Sequence, residues 1–154
     1  FYFWKHIIMS QLLALYNNVG NDQFSQMVCQ VAPFFSTITP EFMALRPSYC
    51  EAAVKFRREI TNHLGTVHAI AMCNAAELVA GTMTDASIPA GYRWIPKAMS
   101  VEYLAKAKTD LRAVADGSQL DWSGAGDVIV PVEIFDTNNI KVFSARITMN
   151  IKAA

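Results

Sequence analysis

The chain has 154 residues, of which 53% are hydrophobic, and its thirteen Lys and Arg residues balance thirteen Asp and Glu residues. This length suffices for one domain with a substantial core, and the high hydrophobic content excludes an intrinsically disordered chain. The zero net charge argues against nucleic acid or an anionic membrane surface as the main partner, because both attract proteins with excess positive charge. The same balance favours self-association, since little electrostatic repulsion separates copies of the chain.

Residues 1–47 lack the alternating pattern of the later segments, and their sequence predicts an N-terminal helical extension. Two short apolar stretches, around Trp4–Tyr16 and Asp22–Val31, indicate helices, and a proline-marked link follows at Ala32–Pro47. No long linker separates this region from the remainder. We therefore expect residues 48–154 to form the main domain and the extension to pack against it as part of the same unit.

An apolar run, Leu64–Thr82, contains one formal charge and predicts a long helix over Val67–Met83. His68, Asn74 and Glu77 within it argue against a membrane span. A helix that is apolar on nearly all sides is typical of one enclosed by the rest of a domain. The sequence therefore predicts a central helix and no integral membrane segment.

Alternating segments on both sides of this helix predict the strands that enclose it. They are Tyr49–Ile60 before the helix, and Met99–Ala105, Leu111–Ala115, Val128–Ile134 and Ile140–Ile151 after it. We predict an α+β fold in which a curled antiparallel sheet of about five strands wraps the helix.

The three cysteines, Cys29, Cys50 and Cys73, lie in unrelated surroundings without a CxxC pair. They predict neither a disulfide framework nor a metal site. We interpret them as reduced core thiols, which favours a cytoplasmic location.

Glu77 is the exceptional residue of the apolar helix, because carboxylates are seldom buried without a partner. A carboxylate in such surroundings is a candidate general base or nucleophile. The alternative is a structural glutamate that reaches water at the helix edge or pairs with a core Lys or Arg. Composition alone leaves both interpretations open.

Polar residues gather in the link Asn62–His68, just before the helix. The free N–H groups of the first helical turn point into this region, as acyl transfer requires for an oxyanion. His68 is a candidate catalytic residue, although a capping or core role is the alternative. Glu77 follows His68 by about two and a half turns, so the two need not touch within one chain, and a second subunit could supply missing partners.

This pattern, Asn62-x-x-Gly65-Thr66-x-His68 followed by Glu77, resembles the strand-to-helix signature of hotdog-fold acyl-CoA thioesterases of the PaaI-like type. It is most similar to a branch of unknown function in which NHxGT precedes the helix and Glu replaces Asp. The resemblance covers about Tyr49–Lys152. It implies a hotdog fold, a homodimer or homotetramer, and hydrolysis of an acyl-CoA or related thioester with no cofactor beyond the coenzyme A of the substrate.

The resemblance also implies roles for individual residues. Glu77 would activate water or attack the thioester carbonyl, and the backbone N–H of Ala69 would hold the oxyanion. Asn62 and His68 would orient the thioester or the water. The site would lie at a dimer interface.

Further binding residues follow from the same resemblance. Gly65 and Thr66 would belong to the oxyanion and substrate-binding region. Lys97, on the strand that corresponds to Trp94–Ser100, is the candidate polar partner from the second subunit, or else a solvated lysine at the strand edge.

The chain departs from the family after His68, where Ala69-Ile70 replaces two glycines. Ile70 is expected to narrow the pocket. This favours the main alternative, a non-catalytic hotdog protein that binds acyl or aromatic ligands. A structural oligomerisation module is a third possibility, whereas the spacing and the proline-rich approach of acyl-carrier dehydratases are missing.

Overall fold

The computed structural model describes residues 10–154, in which three main helices and six strands follow one another along the chain. The helices are α1 (Gln11–Val19), α2 (Asn21–Val31) and α3 (Ala69–Ser87), with short 3-10 helices at Pro33–Ile38 and Arg58–Ile60. The strands are β1 (Glu41–Arg46), β2 (Tyr49–Val54), β3 (Tyr92–Tyr103), β4 (Leu111–Asp116), β5 (Gly126–Phe135) and β6 (Lys141–Ala153).

The six strands form one sheet in the order β1-β2-β4-β5-β6-β3, with antiparallel neighbours throughout. Inward-facing residues alternate with outward-facing ones, and Val130, Val132 and Ile134 of β5 are all fully buried. β1 and β3 are the edge strands. The sheet therefore presents one apolar face to the interior, as the alternating segments predicted.

Helix α3 lies in the curve of this sheet and contacts all six strands. The sheet-facing side of the helix is closed, since Ala76, Val79, Ala80 and Met83 are 0% exposed. The helix ends at Ser87, where Pro89 begins to restrict the backbone. The enclosed helix predicted over Val67–Met83 is present, but it begins two residues later and ends four residues later than predicted.

The sheet contains one strand more than the sequence predicted. β1 lies within the segment 1–47, which the sequence assigned to the helical extension, and pairs with β2. A bulge between Phe42 and Ala44 interrupts the alternation of β1, so that its burial does not follow a period of two. β2 ends at Val54, and not at Ile60 as predicted, because the Phe56 N–H turns to Asp110 Oδ1 and a 3-10 helix follows.

α1 and the first 3-10 helix pack against the remaining side of α3, and α1 and α2 pack against each other and against β1. Ser10 caps α1 by accepting a hydrogen bond from the Leu13 N–H at 3.0 Å. Tyr16, Phe24 and Phe42 stack edge to face from α1 through α2 to β1. The predicted helix around Trp4–Tyr16 corresponds to α1, and its residues 1–9 lie outside the described part of the chain.

The cysteines only partly follow the prediction of core thiols. All three are free, but Cys29 and Cys73 are half-buried and only Cys50 is fully buried. Burial raises the pKa of the Cys50 thiol. Cys50 therefore stays protonated at neutral pH.

Candidate active site

Glu77 lies at the wall of a cavity of about 400 Å³ between α3, β3 and the N-terminal helices. Among the lining residues that lie within 10–154, its carboxylate is the only ionisable group, and the others are almost wholly apolar. The side chain is half-buried. Within residues 10–154 the Glu77 carboxylate forms neither an ion pair nor a hydrogen bond, so no Lys or Arg of that range pairs with it.

The N-terminal helices supply a large part of the cavity wall. α1, α2 and the first 3-10 helix contribute five of its apolar residues, among them Leu12, Leu15, Val28 and Phe35, and Ala32, between the last two elements, adds a sixth. These positions recur at helical spacing on the inward sides of α1 and α2. The sequence predicted two short helices but did not show which surface they pack against. Their cavity-lining residues were therefore not among the predicted site residues.

The first 3-10 helix, residues 33–38, is attached to α3 beside Glu77. Asn74, one turn before Glu77, donates from Nδ2 to Thr37 Oγ1 at 3.0 Å and to the Phe34 carbonyl at 3.5 Å. Arg57 donates to the Thr37 carbonyl from the opposite side. This attachment holds Phe35 at the Glu77 end of the cavity.

Trp94 of β3 closes another part of the cavity. Its Nε1 donates to Asp85 Oδ1 at 3.0 Å, and Ser10 donates to the second oxygen of Asp85 at 3.4 Å. The indole lies directly against Gly81, where an added Cβ would come within 2.6 Å of Trp94 Cη2. Gly81 is therefore required for this close approach of β3 to α3.

The Asn62–Thr66 segment is a loop closed by its own hydrogen bonds. Asn62 Oδ1 accepts from the N–H groups of Leu64 and Thr66 at 3.0 and 3.2 Å, and Nδ2 donates to Thr66 Oγ1 at 2.8 Å. Gly65 has a φ of +75°, a conformation that favours glycine. Within one protomer these contacts engage Asn62 in shaping the loop.

His68 is the N-cap of α3, which was one of the roles open to it. Its Nδ1 accepts from the Ile70 N–H at 3.0 Å, and its own N–H donates to the Ile60 carbonyl at 2.8 Å. The ring is exposed. His68 thus fixes the first turn of the helix and still presents its Nε2 edge to solvent.

Ala69, the first residue of α3, lies in a second cavity of about 360 Å³ that Asn62, Thr66 and Tyr103 also line. Its backbone N–H makes no hydrogen bond within residues 10–154. Eight residues of helix, about 12 Å, separate Ala69 from Glu77. One protomer therefore does not bring the candidate base and the candidate oxyanion donor to the same cavity.

Lys97 lies at a bulge of β3 between Pro96 and Ala98. Its ammonium group is 2.8 Å from Asp127 Oδ2 and its side chain is 57% exposed. Hydrogen bonds from Lys97 and Asn150 hold the pKa of Asp127 below the usual value of a carboxyl group. Within the protomer, Lys97 contacts Asp127 and does not line the Glu77 cavity.

Between Ser10 and Ala154, no three His, Cys, Asp or Glu side chains gather as a metal ion would require. None of the helices in that range combines the length and hydropathy of a membrane crossing.

Comparisons with known proteins place this geometry in context. Residues 20–151 match the model of a family described as a domain of unknown function, DUF4442. Among curated proteins, none matches the sequence. The crystal structure of the protein called genomics APC5556 is 58% identical, with a TM-score of 0.87 over 96% of this chain and 99% of its own.

More distant structures share the fold. A thioesterase of Haemophilus influenzae, HI1161, is 15% identical, with a TM-score of 0.71 over 82% of this chain and 88% of its own. The protein smu.793 of Streptococcus mutans, solved bound to acetyl-CoA, is 15% identical, with a TM-score of 0.65 over 74% and 89%. The predicted α+β hotdog fold is confirmed, with six strands where about five were expected.

Proposed function

Because the chain belongs to the DUF4442 family and has the fold of thioesterases, we propose that it hydrolyses an acyl-CoA or a related acyl thioester. The observation that carries the proposal is the single carboxylate, Glu77, in a cavity wall that is otherwise almost wholly apolar. A fold neighbour bound to acetyl-CoA supports coenzyme A as the thiol carrier. No cofactor is needed beyond the substrate's own coenzyme A.

In the proposed reaction Glu77 acts as general base. It takes a proton from a water molecule while the water oxygen bonds to the thioester carbonyl carbon, and the carbonyl oxygen becomes an oxyanion. The C–S bond then breaks, and the departing sulfur takes the proton from Glu77. The products are a carboxylic acid and a free thiol. Direct attack by the Glu77 carboxylate, which would form an anhydride that water hydrolyses, is the alternative for the same residue.

The oxyanion donor in this proposal comes from a second subunit. Ala69 and Glu77 of one protomer line different cavities, so a complete site needs Glu77 of one copy beside the Ala69 N–H of the other. The edge strand β3 supports a homodimer, since three of its large apolar residues, Ile95, Met99 and Tyr103, remain 62%, 41% and 55% exposed. Lys97, Asn62 and His68 would then act around the shared thioester, with Gly65 and Thr66 shaping the mouth.

A panel of acyl-CoA esters tests hydrolysis directly, with release of the free thiol as the readout. We expect the parent protein to release thiol and Glu77→Gln to be slower by about 100-fold or more, the usual contribution of a general base. Glu41→Gln is the matched control, because Glu41 lies outside the cavity and forms only an exposed pair with Lys55. The proposal fails if no ester is hydrolysed, or if Glu77→Gln is as fast as the control.

Mixing two inactive variants tests the shared site. Ala69→Pro removes the N–H at the first helical position, where proline is tolerated, and His68 before it already has an extended backbone (φ −62°, ψ 135°). If each site uses Glu77 and Ala69 from different copies, co-refolding Ala69→Pro with Glu77→Gln restores roughly a quarter of the parent activity through mixed dimers. No recovery from demonstrably mixed dimers would place both residues in the same copy and contradict the shared site.

The alternative function is ligand binding without turnover. It is favoured by Ile70, which stands in the first turn of α3 and is 57% exposed, where the family resemblance expects a glycine. In that case acyl-CoA or an aromatic acid binds tightly, no thiol is released, and Glu77→Gln leaves the affinity unchanged.

A further inference from the structure

The cavity beside Glu77 has two distinguishable ends. Asn74 binds the first 3-10 helix through Thr37 and Phe34, so Phe35 belongs to the end near Glu77. Asp85, two turns beyond Glu77, binds both Trp94 and Ser10, so Trp94 and the start of α1 belong to the other end. The cavity therefore extends along α3 from the carboxylate to the Trp94 indole.

The lining excludes polar ligands along that path. Between the two ends the lining residues of the described chain are aliphatic and aromatic, and among them only Thr82 carries a hydroxyl group. The Thr82 hydroxyl already donates to the Leu78 carbonyl at 2.7 Å, within the helix. Because the Thr82 hydroxyl and the Trp94 N–H are already committed as donors, no described side chain of the lining offers a free hydrogen-bond donor there. A carbonyl or anionic substituent on a ligand would lose its hydration without compensation.

The volume sets the size of the occupant. If a methylene takes about 30 Å³, the share of a similarly small molecule in a liquid, the cavity of about 400 Å³ has room for about thirteen groups of that size. The thioester carbonyl, its sulfur and the attacking water take about three of these places beside Glu77, which leaves roughly ten for the carbon atoms of the chain. An acetyl group would leave most of this space empty, whereas a chain much longer than ten carbons would meet Trp94. An unbranched saturated chain matches both the size and the lack of polar partners.

We propose that this cavity holds the acyl chain of a medium-chain substrate, with the thioester at Glu77 and the terminal methyl group at Trp94 and Leu12. This assignment rests on the proposed thioester hydrolysis and adds its substrate class. Trp94 and Leu12 are then the residues that set chain length. Trp94 does so because Gly81 admits the indole and the Asp85 hydrogen bond fixes its orientation.

The test measures kcat/KM for saturated acyl-CoA esters from two to sixteen carbons. We expect a rise of about fourfold per added methylene, an optimum near ten carbons and a steep fall beyond it. Trp94→Leu opens the far end and moves the optimum to longer chains by roughly two carbons, while Leu12→Phe narrows that end and moves it to shorter chains.

Trp122→Leu is the matched control. Trp122 is also half-buried and donates from Nε1 at 3.0 Å, in its case to Ser48 Oγ, but it does not line the cavity. It should leave the optimum unchanged. If Trp94→Leu and Leu12→Phe both fold, as shown by cooperative unfolding, and both keep the optimum of the control, the assignment is wrong even though hydrolysis stands.

Binding of alkyl-CoA thioethers, which cannot be hydrolysed, separates this inference from the proposed function. Calorimetry should show the same fourfold gain in affinity per methylene, lost beyond about ten carbons in the parent and beyond longer chains in Trp94→Leu. If these gains appear while no ester is hydrolysed, the cavity assignment holds and the enzymatic function fails. If esters are hydrolysed but affinity does not depend on chain length, the assignment fails alone.

Discussion

The two sides of α3 differ sharply in how they are packed. Towards the sheet, Val79, Ala80 and Met83 are completely buried against β-strand side chains. Towards the N-terminal helices, the same helix borders a cavity of about 400 Å³ and carries Glu77. Larger side chains could have filled this space, because protein interiors are normally close-packed. The contrast therefore supports our proposal that one side of the helix stabilises the fold and the other receives a ligand.

Of the predicted effects, the largest is the difference in stability between side-chain truncations on the two sides of α3. Met83→Ala removes a side chain with no exposed surface and should lower the free energy of unfolding by about 2–5 kcal/mol. Leu12→Ala removes a half-buried side chain that already borders the cavity, so we expect a loss of only about 1 kcal/mol. Denaturant midpoints measure both, with unchanged m values as the check that unfolding remains two-state. Equal losses would contradict the contrast between the two sides.

The attachment of the first 3-10 helix should have an intermediate effect. Asn74 is 7% exposed, and Asn74→Ala removes its hydrogen bonds to Thr37 and Phe34 at a cost of about 1–2 kcal/mol. Amide hydrogen exchange should accelerate in residues 33–38 much more than in β5 and β6. Thr37→Val, which removes only the hydroxyl partner, should reproduce part of the same local effect. Uniform acceleration over the whole chain would instead indicate a general loss of stability.

Gly81→Ala should change the ligand preference more than the stability. The added methyl group meets the Trp94 indole, and we expect the indole to shift into the cavity space beside it. Alanine also favours a helix by about 1 kcal/mol over glycine, which offsets part of the strain. We therefore expect a change in unfolding free energy within about 1 kcal/mol and a shift of the acyl-chain optimum to shorter chains. A shift to longer chains would show that the indole moves out of the cavity.

The smallest effect should come from the exposed Lys97–Asp127 pair. The pKa of Asp127 is lowered in the folded state by Lys97 and Asn150, so the pair stabilises the fold above the ordinary pKa of a carboxyl group. That contribution is lost as the pH falls through the lowered value. Lys97→Met should therefore change the denaturant midpoint slightly at neutral pH and not at all in strong acid. A large drop in kcat/KM with unchanged stability would instead support the proposed role of Lys97 at the partner's thioester.

The sequence predicts the parts of this molecule that follow a strict period. β2, β4, β5 and β6 show alternating apolar residues that their buried faces confirm, and the charge-poor run identifies α3. β1 was missed because its bulge between Phe42 and Ala44 breaks the alternation. The early end of β2 was missed because the side chain of Asp110, distant in sequence, accepts the Phe56 N–H.

The sequence names candidate site residues but not their geometry. The charge-poor run singled out Glu77 as a carboxylate in an apolar helix, and the polar link before it singled out His68 at the start of that helix. It carried no information on the wall that α1 and α2 build, since helical spacing shows that a side chain faces inward but not which surface it meets. For the same reason it did not show that Ala69 and Glu77 line separate cavities.

Pro96 and the bulge beside it have a consequence for the behaviour of the protein in concentrated solution. A long, exposed, apolar edge strand such as β3 invites indiscriminate pairing with other chains and aggregation. Proline brings no N–H group, and the interruption between Pro96 and Ala98 breaks the regular row of hydrogen-bonding groups along the strand. The edge is thereby divided into short stretches, and this division hinders the open-ended addition of strands from other chains. Ala98–Tyr103 remains able to pair with the same strand of one other copy.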